Sequence, residues 1–77
     1  MSDVIRNAQR AQDFLKDELI IKIFETLEDE IKSHWQTTSP EKSAEREQLY
    51  YELRALESIK RKLRGYVDNG IIYQKKG

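Results

Sequence analysis

Residues 33–43 read SHWQTTSPEKS, and the fold depends on whether this stretch is a working site or a reversal of the chain. A Trp beside the only His precedes three hydroxyl residues and the only Pro. A catalytic reading would pair His34 with Ser33 or Ser39. Adjacent helical residues point apart, however, and no third group orients the imidazole, so a nucleophile–base pair lacks its geometry. The reversal reading uses every residue. Ser39 can cap a helix, Pro40 at its first position loses nothing by lacking an N–H, and Glu41 and Glu45 suit the positive end of a helix dipole. The stretch therefore reads as a helix end, a polar turn and a helix start, with Trp35 closing an apolar stripe beneath the turn.

Working back from the turn, Ile20, Phe24, Leu27, Ile31 and His34/Trp35 recur at helical spacing and predict a helix over about 18–37. Leu19 and Ile23 broaden the stripe, while Glu25, Glu28, Asp29 and Glu30 fall mainly on the other side. The cluster Leu19–Phe24 is apolar nearly all round, which predicts burial on more than one side. Before it, Val4, Ala8, Ala11 and Leu15 predict a shorter helix over about 3–16, with Ser2 or Asp3 as N-cap. Asp17-Glu18 interrupts the stripe without a Gly or Pro, so one bent helix and two separate helices both stay open.

Working forward, Leu49, Leu53, Leu56, Leu63 and Val67, flanked by Tyr50, Ile59 and Tyr66, predict a helix over about 40–68. Glu57 and Arg61 form a favourable i,i+4 pair. Asp68-Asn69-Gly70 reads as a C-terminal stop, since Asn and Gly tolerate the left-handed conformation that closes a helix. Residues 71–77 are then a short tail, extended or disordered. Tyr50 and Tyr51 lie 100° apart on the helix, so one ring is expected in the core and the other at the surface.

The expectation is one all-α domain over 1–70: an antiparallel helical hairpin preceded by a shorter N-terminal helix. Seventy-seven residues bury only about 60% of their unfolded surface, and such chains lean on disulfides, a metal or self-association. Cys is absent and His occurs once, which removes disulfides and makes zinc improbable. Self-association into a four-helix-bundle-like dimer, or a larger partner, is the expected remedy. No cofactor and no metal are expected.

Lys+Arg and Asp+Glu each number 14, but residues 1–38 sum to −3 and residues 39–77 to +3. In a hairpin these halves would face each other. The longest wholly apolar run, Leu19-Ile20-Ile21, is far short of the roughly 20 residues that span a bilayer, and the start has no signal-peptide core. These features predict a soluble, cytoplasmic chain that engages no membrane.

Catalytic residues are not predicted. Interface candidates are Trp35, Tyr50, Tyr51 and Tyr66, with Leu19, Ile20 and Phe24, because exposed aromatic and large apolar side chains anchor interfaces. Lys60, Arg61, Lys62 and Arg64 form the densest basic run, with Lys75-Lys76 beyond, and could neutralise phosphates. That offers a rival reading as a nucleic-acid-binding regulator, though cations are favoured at a helix C-terminus anyway. A second rival is a small inhibitor of a host enzyme, with the acidic residues 25–30 mimicking nucleic-acid charge.

The order of motifs carries a resemblance. A-x-x-A-x-x-F-L-K-D (Ala8 to Asp17) leads into I-F-E-T-L (Ile23 to Leu27). W-x-x-T-x-P (Trp35, Thr38, Pro40) and R-E-x-L-Y (Arg46 to Tyr50) follow, then the acidic-Asn-Gly segment at 68–70. This resembles small helical proteins of tailed bacteriophages and prophages, over most of the chain. Where such proteins carry a Pro after the Asp of the first motif, Glu18 stands here, which leaves the first helix break open. The resemblance carries over no catalytic or binding residues. It implies a non-enzymatic, phage-encoded accessory associated with capsid, connector or scaffold, located in host cytoplasm or virion, whose partner is itself or a larger phage or host protein.

Overall fold

A computed structural model describes residues 2–76; Met1 and Gly77, the outer ends of the expected domain and tail, lie outside them. The described residues form three helices and no strand: α1 (Asp3–Lys16), α2 (Glu18–Thr37) and α3 (Ser43–Lys76). Ser2 caps α1, its hydroxyl accepting from the Val4 N–H at 3.2 Å.

The break left open between α1 and α2 is real, and one residue makes it. Asp17 is extended (φ −64°, ψ 123°) and ends α1, donating its N–H to the Phe14 carbonyl at 3.2 Å. The same residue starts α2. Its carboxylate accepts from the Leu19 and Ile20 N–H groups at 2.9 and 3.1 Å, satisfying donors that a helix start leaves free.

α3 begins three residues later than the Ser-Pro-Glu signal suggests. Ser39 to Lys42 instead close a turn, with the Lys42 N–H donating to the Ser39 carbonyl at 3.0 Å and Pro40 at its second position. Ser39 caps this turn rather than a helix: its hydroxyl accepts from the Glu41 N–H and donates to the Glu41 carboxylate at 2.6 Å. Pro at the second position of a turn is as well suited as at a helix start, and the extra length lets the chain cross between helices.

α3 also runs through the expected stop. Asp68-Asn69-Gly70 is helical, residues 71–76 continue the helix, and no described residue has a positive φ. Gly70 serves a different need. It packs on Ala8 of α1, and a Cβ added there would overlap the Ala8 methyl. A glycine read as a left-handed cap is thus a contact point that lets two helix backbones come together.

The architecture is a long hairpin with one broken limb. α1 and α2 lie end to end, both antiparallel to α3: Ala8 meets Gly70, Glu28 meets Lys60, and Arg46 meets Trp35. α3 at about 1.5 Å per residue spans nearly the whole 56 Å length of the molecule, which is only 22 by 15 Å across. A 3-4 alternation builds the seam, with Leu49, Leu53, Leu56, Lys60, Leu63 and Val67 facing the broken limb.

A two-helix layer has no closed interior. Ala11 and Leu49, at 5% and 4% exposure, are the buried apolar side chains, and none is fully buried. The expectation that Leu19–Phe24 is buried on several sides is therefore not met within one chain: Leu19 is 64% exposed, and Ile21 and Ile23 are exposed as well. α3 covers only the Ile20–Phe24 edge of the cluster.

Candidate interaction surface

The turn is held by Arg46, a residue the sequence reading passed over as part of a motif. Its guanidinium donates to the carbonyls of Trp35 and Thr38 at 3.3 and 3.0 Å, adding to the Thr38 N–H that the Trp35 carbonyl already accepts at the end of α2. The same group lies 4.0 Å from the centre of the Trp35 ring, within cation–π range. Thr38 is buried and donates its hydroxyl to the His34 carbonyl at 2.5 Å. His34 turns away from Ser33 and Ser39: its Nε2 lies 3.1 Å from the Glu45 carboxylate, bridging α2 to the first turn of α3. Trp35 is covered on one side by its own chain and open on the other.

Midway along the molecule Lys60 occupies a seam position and pairs with Glu28 across α2, both side chains about one quarter exposed. The ammonium also sits 5.4 Å from the Phe24 ring centre. A polar pair in an otherwise apolar seam sets the register of one helix on the other. Glu57 pairs with Arg54 at 3.4 Å rather than with Arg61.

The expected basic patch does not assemble as one face. Successive helical residues turn by about 100°, so Lys62 lies on the side opposite the one that Lys60 and Arg64 share, and Lys60 is occupied by Glu28. The acidic run of α2 is dispersed in the same way, with Glu28 in the seam. Tyr50 and Tyr51 also depart from expectation, since both are more than half exposed. Their rings meet edge to face at 5.9 Å. The Glu47 carboxylate accepts the Tyr51 hydroxyl at 2.9 Å and raises its pKa, because that bond favours the protonated phenol.

Two open grooves flank the seam of α2 and α3. The larger, about 460 Å³, is lined by Leu27, Ile31, Ala55, Leu56 and Ile59, with Glu30 and Glu52 among its walls. The smaller, about 290 Å³, lies on the opposite side between Trp35, Tyr50 and Leu53. On the larger groove's side, further along, Phe14 and Tyr66 flank Leu63 beside Arg10. Both aromatic rings are exposed. Phe14 and Ile59 are surface anchors the sequence reading did not name as interface candidates, although Ile59 stands one residue before the seam.

Among the described residues no three His, Cys, Asp or Glu side chains gather as a metal site, and no helix is long and apolar enough to cross a membrane. The chain matches no protein-family model, no curated protein and no solved structure.

Proposed function

We propose that the chain is a non-enzymatic protein-interaction module that completes its core by self-association, in a four-helix-bundle-like dimer. The observation that carries this reading is surface area. A compact protein of 9.2 kDa exposes about 4,900 Å² by the scaling of monomeric proteins, whereas this chain exposes 6243 Å². The excess, about 1,300 Å² per chain, would bury about 2,600 Å² in a symmetric pair, the range of obligate homodimers. Fourteen exposed large apolar side chains among the described residues supply it. Its radius of gyration, 16.7 Å, also exceeds the roughly 11–12 Å of a compact domain this long.

The mechanism is the presentation of a rigid helical surface, made at low chain cost by one unbroken helix and a broken one. A setting in phage assembly rests on the motif resemblance alone. A nucleic-acid-binding role is less well supported, because Lys60 is engaged by Glu28 and Lys62 lies on the side opposite Lys60 and Arg64. The deciding experiment is light scattering over a range of concentrations. A mass twice 9.2 kDa is expected; a single-chain mass throughout would overturn the reading.

A further inference from the structure

The reading above leaves open which face a second copy covers and in which direction it runs. We infer that two copies pair antiparallel on the groove side, about a two-fold axis passing close to Ile59, so that the exposed Phe14 and Tyr66 rings of each lie against the Leu27–Ile59 groove of the other. This inference rests on the self-association reading and goes beyond it.

Three observations carry it. The first is the pattern on α3. Ala55, Ile59, Tyr66 and Tyr73 stand one residue before the seam residues Leu56, Lys60, Val67 and Gln74, so they form a second stripe about 100° round the helix. A helix whose apolar arc is this wide has two neighbours to cover, as in a four-helix bundle, whereas a hairpin provides one. Ile59 belongs to that stripe and stands at the midpoint of α3.

The second is shape. Positions seven residues either side of Ile59 are Glu52 and Tyr66, and four residues either side are Ala55 and Leu63. A two-fold axis at Ile59 therefore lays large Tyr66 and Leu63 against small Ala55 and the adjoining groove of about 460 Å³. Phe14, beside Tyr66, adds a second ring. Phe14 and Tyr66 are each still about two-fifths exposed, so the two rings supply part of the missing coverage.

The third is charge. Cut at Ile59, and leaving aside the Glu28–Lys60 pair on the boundary, residues 27–59 carry seven acidic and four basic side chains. The remaining described residues, 2–26 and 61–75, carry six acidic and eight basic. The rod is thus −3 at its turn end and +2 at its open end, and an antiparallel pair sets unlike ends together. Locally it brings Arg10 towards Glu30 and Glu52, at the walls of the facing groove. A parallel pair would set like ends together. The opposite face is less suited as the centre of the interface, since Arg64 stands near its middle beside the Glu28–Lys60 pair and would meet its own copy.

The chain contains no Cys, so single introduced cysteines report proximity without background. Ile59→Cys is expected to form a disulfide-linked dimer under mild oxidation. Glu52→Cys mixed with Tyr66→Cys is expected to form the heterodimer in preference to either homodimer, and Tyr50→Cys on the opposite face to form none above random collision. Reduced variants are weighed first by light scattering to show that the dimer persists. Homodimers of Glu52→Cys and of Tyr66→Cys at twofold mass would overturn the antiparallel direction while leaving self-association standing. Ready cross-linking of Tyr50→Cys with none at Ile59→Cys would overturn the choice of face. A single-chain mass for the unsubstituted protein would give the groove to a different partner and overturn both readings.

Discussion

The two halves of this molecule solve the same packing problem differently. At the open end, Ala8 of α1 meets Gly70 of α3, and these small residues let the backbones approach along much of α1. At the turn end, α2 meets α3 through Leu, Ile and Phe side chains, approaches less closely, and leaves a groove on each flank. Small residues seal a two-helix contact by bringing backbones together. Large ones hold the helices apart and leave walls for something else to fill. The first half is the closer joint and the second the looser one, although α1 and α3 also leave a groove beside Phe14 and Tyr66.

The contrast can be broken most severely at Gly70. Gly70→Leu has no room beside Ala8 and Val4 and should cost about 3 kcal/mol, lowering Tm by roughly 10–20 °C. If calorimetry shows Tm unchanged, close approach does not hold the open end. At mid-seam, Lys60→Ala leaves the Glu28 carboxylate three-quarters covered and without its partner, at a cost of about 1–3 kcal/mol. The double variant with Glu28→Ala should recover part of that in chemical denaturation. Simple additivity would show that the pair sets no register.

Smaller effects sharpen the picture at the turn. Arg46→Ala removes two hydrogen bonds and the cover of the indole, for about 1–2 kcal/mol, and should shift Trp35 fluorescence to longer wavelength. Unaltered emission would mean that the guanidinium does not shield the ring. Gly65 is the counterpart of Gly70, with nothing within 4 Å of an added Cβ. Gly65→Ala should therefore stabilise the chain by about 1 kcal/mol, since Gly is costly inside a helix; a loss of stability would show that something packs there. Smallest is Tyr51, whose phenol should titrate above the ordinary value of 10.0. Any stability from this bond is present below the unfolded pKa and fades as pH rises through the raised one. Spectrophotometric titration should show Glu47→Ala bringing the midpoint back down.

Much of the fold is legible in residue order, and where it fails the reason is local. α1 and α2 occupy the intervals that hydrophobic spacing marks, because periodicity reports which face is covered and capping reports where a helix starts. α3 is misread at both ends by residues with two uses. Pro40 suits a turn as well as a helix start, and Gly70 suits a close contact as well as a left-handed cap. Sequence spacing cannot separate such uses: the Pro40 signal fits both, and the neighbour that decides for Gly70, Ala8, lies more than 60 residues away in the chain.

The candidate surface was legible in kind and less so in detail. Trp35, Tyr50, Tyr51, Tyr66 and Leu19 are exposed as interface candidates require. Ile20 and Phe24 are half-buried at the seam, and Phe14 and Ile59 take prominent places on the groove side. The basic run 60–64 looked like a patch because its residues are consecutive, and helical geometry disperses consecutive residues around the axis.

By itself the sequence determined that the chain is helical, where the limbs reverse and that so short a chain leaves apolar surface to cover, since all three follow from spacing, capping and size. Tertiary structure alone decided that α1 and α2 share one side of a single long α3, that Gly70 is a joint and Lys60 a seam residue, and that the exposed apolar side chains line grooves along the seam. Those outcomes depend on which distant residues meet, and pairwise contact across a chain is a property of the assembled backbone.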